Sequence, residues 1–346
     1  MKIALDAMGG DYAPSVTIEG AAMALRAYPR IEKIFLAGEE SKLKAELNRI
    51  GFSDSRIEII HASQVVQMDD LAVQALRRKK DSSVSQAVNL VKEGRADAVV
   101  TAGHTGAAVA ETTVKLRTLE GIERPGIAAV MPTETNLFVL IDAGANVNSR
   151  PVHLLQYAVM GSVYSKLILG YANPRVGLMS IGEEDVKGND LTKETFKLLE
   201  KSDLNFIGNI EGHDLFENPV EVVVCDGFVG NVVLKTSESI AVAMGHWLKG
   251  ELKKSPIRML GAWLANGAFQ AIRRKTDYAE CGGALLLGIN GICIIGHGAS
   301  SAVAIKNAIR VAMESIEQKV NTTILQEIKK ARLYAPPTHD PTLIPR

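Results

Sequence analysis

The chain has 346 residues, 47% of them hydrophobic and 23% charged, with 39 basic and 39 acidic side chains. That composition is ordinary for a globular protein of one large or two medium domains, and a net charge of zero gives no electrostatic case for a nucleic-acid partner. No apolar run approaches the roughly 18 residues needed to span a bilayer, and no signal-peptide pattern precedes the first strand. Three sparse cysteines, Cys225, Cys281 and Cys293, suit reduced cytosolic thiols rather than a disulfide framework or a zinc site.

Lys2 to Ala7 reads as a buried strand that ends in the turn Met8-Gly9-Gly10-Asp11. Pro14 suits the first turn of a helix running to about Tyr28. Strands are expected at Lys33 to Gly38 and Arg56 to Ala62, separated by a helix from Glu39 to Ile50 that Gly51 terminates. A basic run, Arg77 to Lys80, precedes Ser83, which with Gln86 makes a capping-box pattern ahead of the apolar stripe Val84, Ala87, Val88 and Val91. The strand Ala96 to Ala102 ends in Gly103-His104-Thr105-Gly106, and a helix follows to about Leu119. Gly126 to Met131 and Leu137 to Ile141 are close enough to form a hairpin, and the second ends in Asp142 to Asn146.

A long helix is expected from Pro151 to Leu169, a strand from Arg175 to Ile181, the polar loop Gly182 to Asn189, a helix from Asp190 to Lys201 and an extended stretch from Asn205 to Ile210. Three consecutive valines, Val222 to Val224, suit a strand buried on both faces. The run breaks at Asp226-Gly227, passes Gly230 and Asn231, and turns helical from Val232 to about Lys254. Unpaired N–H groups in such a loop, together with the helix dipole, favour an anion; an ordinary strand-to-helix turn is the alternative. The strand Gly291 to Ile295 and the loop Gly296 to Ser301 lead into two helices, the last ending near Leu333. The tail 334–346 is Pro-rich and expected to be extended.

This alternation predicts an α/β fold, a three-layer αβα sandwich with a mostly parallel sheet. The expected organisation is a single domain over 1–333 with a helical hairpin protruding at about 232–280. Six strands end in loops that combine Gly with Asp, Asn, His, Lys or Ser. Parallel strands would set all of these loops on one edge, where such folds bind ligands.

There is no GxGxxG after the first strand, no GxxxxGK[ST], no HExxH and no GxSxG. Dinucleotide, ATP-cradle, zinc-hydrolase and serine-hydrolase readings therefore lack their parts, and no cofactor or metal is implied. Gly-rich anion loops with Lys187, Asn231, His104 and His297 suit a reaction in which bound phosphate is itself the nucleophile, positioned by the protein while an oxyanion forms at a carbonyl. Lys187 would hold phosphate charge or assist a leaving group, or be a solvated loop lysine. Asn231 would donate to the oxyanion or cap a helix. His104 would move a proton or only fill its loop. Asp6, Asp11, Asp142 and Asp226 suit caps of loops and helices. The run Arg77 to Lys80 would be a solvated face, or would dock an acidic partner or reach phosphate. Lys253 to Lys275 brackets Leu260, Trp263, Leu264 and Phe269 with cations. That suits insertion into a lipid interface or a helical hairpin packed in a dimer interface or core.

On these residues the sequence resembles the bacterial phosphate acyltransferase family (acyl-acyl-carrier-protein:phosphate acyltransferases, PlsX family). The matching stretches are LDAMGGD at Leu5 to Asp11, RRKKDSS at Arg77 to Ser83, DAGAN at Asp142 to Asn146 and IGEEDVKGND at Ile181 to Asp190. CDGFVGNVVLKTSE at Cys225 to Glu238 and GHGASSAVAIKNAI at Gly296 to Ile309 complete the set. The resemblance implies a fold similar to the phosphotransacetylase and isocitrate dehydrogenase group. It implies transfer of a fatty acyl group from acyl carrier protein to inorganic phosphate for phospholipid synthesis. It also implies a cytoplasmic homodimer attached peripherally to the membrane, with a membrane glycerol-3-phosphate acyltransferase as a further partner. Short-chain phosphotransacetylase chemistry and a non-enzymatic carrier-protein scaffold are the alternatives. By the same resemblance Lys187 and Asn231 are the expected catalytic residues. Asp11, Lys80, Ser83, Gly103, His104, Thr105, Gly106, Asn146, Gly230 and His297 are the expected substrate- and phosphate-binding residues. Leu260, Trp263, Leu264 and Phe269 are the expected membrane contacts. The family's loop usually reads AGNTGA; here Ala102 to Ala107 carries His104, an imidazole in place of an amide.

Overall fold

A computed structural model of the chain describes residues 1–217, 220–276 and 282–331. The first half runs β1 (Lys2–Asp6), α1 (Ser15–Ala27), β2 (Lys33–Gly38), α2 (Glu40–Arg49), β3 (Ile57–His61), α3 (Ala72–Arg78), α4 (Ser83–Lys92), β4 (Ala98–Thr101) and α5 (Thr105–Leu116). Next come β5 (Gly126–Pro132), β6 (Leu137–Ile141) and α6 (Pro151–Tyr164), which continues through a π-helical turn until Gly170 ends it at φ 83°. The rest is β7 (Val176–Met179), α7 (Asp190–Glu200), β8 (Phe206–Ile210), β9 (Val222–Val224), α8 (Gly227–Leu252), α9 (Pro256–Leu264), α10 (Asn266–Thr276), β10 (Ala284–Leu287), β11 (Ile292–Ile295), α11 (Ala302–Glu317) and α12 (Val320–Ala331). The Pro-rich tail 334–346 and Cys281 lie outside the described residues.

The eleven strands of the described residues form one sheet, in the order β3-β2-β1-β4-β11-β10-β5-β6-β9-β7-β8. Most neighbours are parallel, and helices cover both faces. Successive strand residues alternate between two apolar layers. Leu5, Val100 and Ile294 pack with α1, α6 and α11 residues such as Ile18, Leu155 and Ile305. Ala4, Val99 and Cys293 pack with α4 and α5 residues such as Val84, Val88 and Ala108. Burial on both faces explains why these strands read as continuous apolar runs. The expected αβα sandwich is therefore present, and so is the β5–β6 hairpin.

The expectation of one common edge is corrected. β10, a four-residue strand that the sequence reading missed, lies antiparallel to both β11 and β5, and β5 is antiparallel to β6. Three successive reversals leave β6, β9, β7 and β8 running opposite to β3, β2, β1, β4 and β11. The Gly-rich loops therefore divide into two groups.

Local boundaries differ too. Ser82, not Ser83, caps α4, its hydroxyl accepting from the Ser85 N–H at 3.4 Å. Gln86 turns instead to Asp81, 2.7 Å away. α8 begins at Gly227, a full turn before Val232. Beyond that first turn α8 buries no residue, and α9 buries none. No described helix is long and apolar enough to cross a membrane.

Candidate functional site

The first loop group gathers at the ends of β1, β4 and β11. Asp6, at the end of β1, is 3% exposed. Its carboxyl receives the Thr101 hydroxyl at 2.7 Å and the Met8 N–H at 3.3 Å, and it bonds the Ser83 hydroxyl freed by the shifted cap. Burial pushes this carboxyl above its usual range, against the pull of those donors. Two glycines cover it: a Cβ at Gly9 would lie 2.6 Å from Asp6 Oδ2, and one at Gly103 would lie 3.3 Å away. Gly10 turns at φ 107° so that the Asp11 N–H reaches the Gly298 carbonyl at 2.8 Å. The glycines of LDAMGGD, the β4 loop and GHGAS thus let three backbones meet over one buried acid.

Two helices open at this edge. His104 caps α5, its Nδ1 accepting the Ala107 N–H at 3.1 Å, and Ser301 caps α11, its hydroxyl accepting the Ala304 N–H at 3.2 Å. Each cap serves the third N–H of its helix. Thr105 and Gly106 of α5, and Ala302 and Val303 of α11, hold the positions whose N–H groups have no acceptor within a helix. Their dipoles add to the preference for an anion. His297 Nδ1 accepts the Ala299 N–H at 3.1 Å and shapes the β11 loop. Lys80 is exposed, while its carbonyl accepts the Ser85 hydroxyl at 2.9 Å. Lys79, beside it, pairs with Asp70 at 2.5 Å and holds that carboxyl below its usual range.

The second group stands at the ends of β6, β9 and β7. Asp142 is buried and accepts the N–H groups of Ile127, Gly144, Ala145 and Asn146 at 2.7–3.0 Å; burial still raises its pKa above the usual carboxylate value. Asn146 is consumed internally, its amide donating to the Pro125 carbonyl at 2.5 Å and the Tyr157 hydroxyl at 2.9 Å. At α8 the expected anion loop is corrected. Asp226 caps the helix, accepting from Phe228 and Val229 at 2.9 and 3.1 Å, and the Gly227 N–H is taken by the Asn146 carbonyl at 2.9 Å. The donors of this helix end are already satisfied, by an acid of its own sequence. Gly230 is required by packing on Asp142, and Asn231 lies inside the second turn rather than at the cap.

Asn231 and Lys187 nevertheless share this edge. β9 and β7 are adjacent, with Val224 paired to Leu178, so both residues follow neighbouring strand ends. Gly144, at φ 136°, packs on Asn231, where a Cβ would lie 3.4 Å from the Asn231 Cβ. Lys187 lies in the loop between β7 and α7; its side chain is 49% exposed and its ammonium is 4.0 Å from Glu184. An amide and an ammonium on adjacent loops can donate to a developing oxyanion and to a leaving group. Asp11, Ser83, Gly103, His104, Thr105, Gly106 and His297 are brought together at the first edge, and Lys187, Asn231, Asn146 and Gly230 at the second. Among the described residues, sequence reasoning missed Thr101, Tyr157 and Asn209, each a polar side chain inside an apolar run. The membrane candidates Leu260, Trp263 and Leu264 are exposed on α9, and Phe269 on α10 is half-buried.

The chain matches the family model described as "Fatty acid synthesis protein" over residues 1–323. It is 49% identical over 336 residues to a phosphate acyltransferase of Akkermansia muciniphila, covering 95% of this chain and 96% of that one. It is 50% identical over 329 residues to a phosphate acyltransferase of Pelotomaculum thermopropionicum, covering 95% of each. Among solved structures, it resembles a phosphotransacetylase from Streptococcus pyogenes with TM-score 0.57 at 18% identity, covering 95% of this chain and 94% of that one. It resembles a branched-chain phosphotransacylase from Enterococcus faecalis with TM-score 0.56 at 16% identity, covering 91% and 99%. These two likenesses establish the fold alone. With nearly its whole length matched, the chain belongs to the fatty acid synthesis protein (PlsX) family and is an acyltransferase.

Proposed function

We propose that this acyltransferase moves a fatty acyl group, reversibly, from the thioester of an acyl carrier protein to inorganic phosphate, and that the acyl phosphate feeds phospholipid synthesis. The observation that carries this reading is the pair of capped helix N-termini, α5 and α11, opening together beside the Gly10 turn. A phosphate seated there needs no activating side chain, because it is already anionic at neutral pH. One of its oxygens attacks the thioester carbon; a C–O bond forms, the C–S bond breaks, and the sulfur leaves as the carrier thiol with one proton. The Asn231 amide donates to the carbonyl oxygen as it gains charge, and Lys187 supplies charge or a proton at the leaving sulfur. This reading requires that phosphate held at the first edge and the thioester held at the second come within bonding reach of each other.

Peripheral membrane attachment through α9 and α10 on the cytoplasmic face belongs to the same reading, as does pairing of two copies. The exposed apolar residues of α8, Ile240, Met244 and Trp247 among them, support the latter. A membrane glycerol-3-phosphate acyltransferase would consume the product.

The test is a carrier-thiol release assay with acyl-acyl carrier protein, with and without phosphate. Phosphate-dependent release is expected. Lys187→Ala and Asn231→Ala should each lower it by about 100-fold or more with unchanged circular dichroism. Release that ignores phosphate would overturn the reading.

A further inference from the structure

We propose that Asn209 is a positioning residue for Lys187, a role that rests on the reading of Lys187 given above. A β-bulge interrupts β8. Val176 pairs with Phe206 but Gly177 pairs with Gly208, so Ile207 is an extra residue in β8. Gly208 accommodates it at φ 106°, a conformation that favours glycine. Phe206 packs edge-on against Phe196 of α7, ring centroids 5.1 Å apart, within the first apolar layer. Ile210 belongs to the second layer, on the other face of the sheet. In a regular strand, residues four apart share a face. The bulge breaks that parity and turns Asn209, the neighbour of Ile210, toward the face covered by α7. The loop that carries Lys187 passes on this face before it enters α7.

Asn209 is 7% exposed. Its Nδ2 donates to the Glu184 carbonyl at 2.9 Å, and the backbone N–H of Lys187 donates to the same oxygen, also at 2.9 Å. The Glu184 carbonyl is therefore the point on which the turn before Lys187 closes, and Asn209 fixes that point to the sheet. On the other side of Lys187 the loop is anchored again. Asn189 caps α7, accepting the Thr192 N–H at 2.9 Å. Between Glu184 and Asn189 lie Asp185, Val186, Lys187 and Gly188, and Gly188 turns at φ 98° against the Thr192 and Ser180 hydroxyls. The backbone that carries Lys187 is thus held by two asparagines, one at each end of a short span.

The orientation of the Asn209 amide is forced, because a carbonyl only accepts. Presenting Nδ2 to Glu184 leaves Asn209 Oδ1 buried and without a hydrogen-bond partner among the described residues. A buried unpaired acceptor destabilises a fold. An apolar side chain of similar size would avoid that cost, so the amide burdens the fold and serves the loop.

Asn209→Leu separates the two roles, since it removes the orphaned acceptor and the pin together. The expected result is a melting temperature equal to or above that of the parent protein. Amide exchange at Lys187 should be about ten-fold faster, and kcat should fall about ten-fold or more with KM for phosphate little changed. Asn209→Asp provides a readout that packing alone would not move. A protonated acid can donate to the Glu184 carbonyl and a carboxylate cannot, so its activity relative to Asn209→Leu should rise as pH falls through the raised pKa of a buried acid. Unchanged exchange at Lys187 in Asn209→Leu overturns the proposal, and so does faster exchange with unchanged kcat. Fully active Lys187→Ala would remove the reading of Lys187 itself; the exchange measurement then decides alone whether Asn209 holds the loop.

Discussion

A Cβ at Gly230 would lie 1.9 Å from the Asp142 carbonyl oxygen. The first turn of α8 rests directly on the turn that ends β6, and the atom in the way is backbone, which cannot step aside as a side-chain tip can. In helix propensity alone Ala exceeds Gly by about 1 kcal/mol. Here steric overlap must win: Gly230→Ala should destabilise by about 3 kcal/mol, whereas Gly250→Ala, further along the same helix with nothing within 4 Å of the added carbon, should stabilise by up to about 1 kcal/mol. Urea unfolding of both variants checks the pair. Equal effects of the same sign would show that α8 does not seat on Asp142.

Asp6 should give the stability curve a recognisable slope. Its carboxyl is raised above 3.8, chiefly by burial. The native state therefore holds the proton at pH values where the unfolded chain has released it. The stabilisation from this group is full below about pH 3.8 and is lost as pH rises through the native pKa. Asp6→Asn keeps an acceptor for the Thr101 hydroxyl but cannot titrate. Unfolding free energies measured across the acid-to-neutral range should show the parent protein losing ground to Asp6→Asn as pH increases. A constant difference between the two would mean that Asp6 titrates alike in both states.

The sequence made the alternation of strands and helices legible because both faces of the sheet are apolar and six strands end in loops that combine glycine with a polar residue. The direction of half the sheet was hidden, since it depends on Ala284–Leu287. Four apolar residues between glycines carry no period by which to call them strand or helix. Gly227 and Gly230 read as loop punctuation, yet they are helical; their reason is the close approach of the Asp142 turn, a contact between residues more than eighty positions apart. The cap of α4 moved by one residue, from Ser83 to Ser82, because Ser83 is drawn to the Asp6 carboxyl. Asn209 gave no signal at all, as a bulge at Ile207 and Gly208 is invisible in an extended run until its pairing is known. The candidate site was legible as a set of loops, but not as two sets.

The exposed face of α9 leads to a third test. Trp263 and Leu264 are 73% and 72% exposed, so a glutamate at either position touches no packed core and should change stability by no more than about 0.5 kcal/mol. The same change should matter at a lipid interface. Burying one such side chain contributes about 1.5–3 kcal/mol, and an acidic residue meets the negative potential of anionic lipid. Trp263→Glu and Leu264→Glu should therefore lower partition onto anionic vesicles about ten-fold or more at an unchanged melting temperature. Val114→Glu is the control, since it places the same charge on α5, at a position 60% exposed, and should leave partition unaltered. Sedimentation velocity on the same variants decides between lipid and a second copy of the chain. Vesicle binding that survives while the sedimentation coefficient falls would assign α9 to a protein interface, because charge in a dimer contact weakens the dimer and leaves lipid affinity where it was.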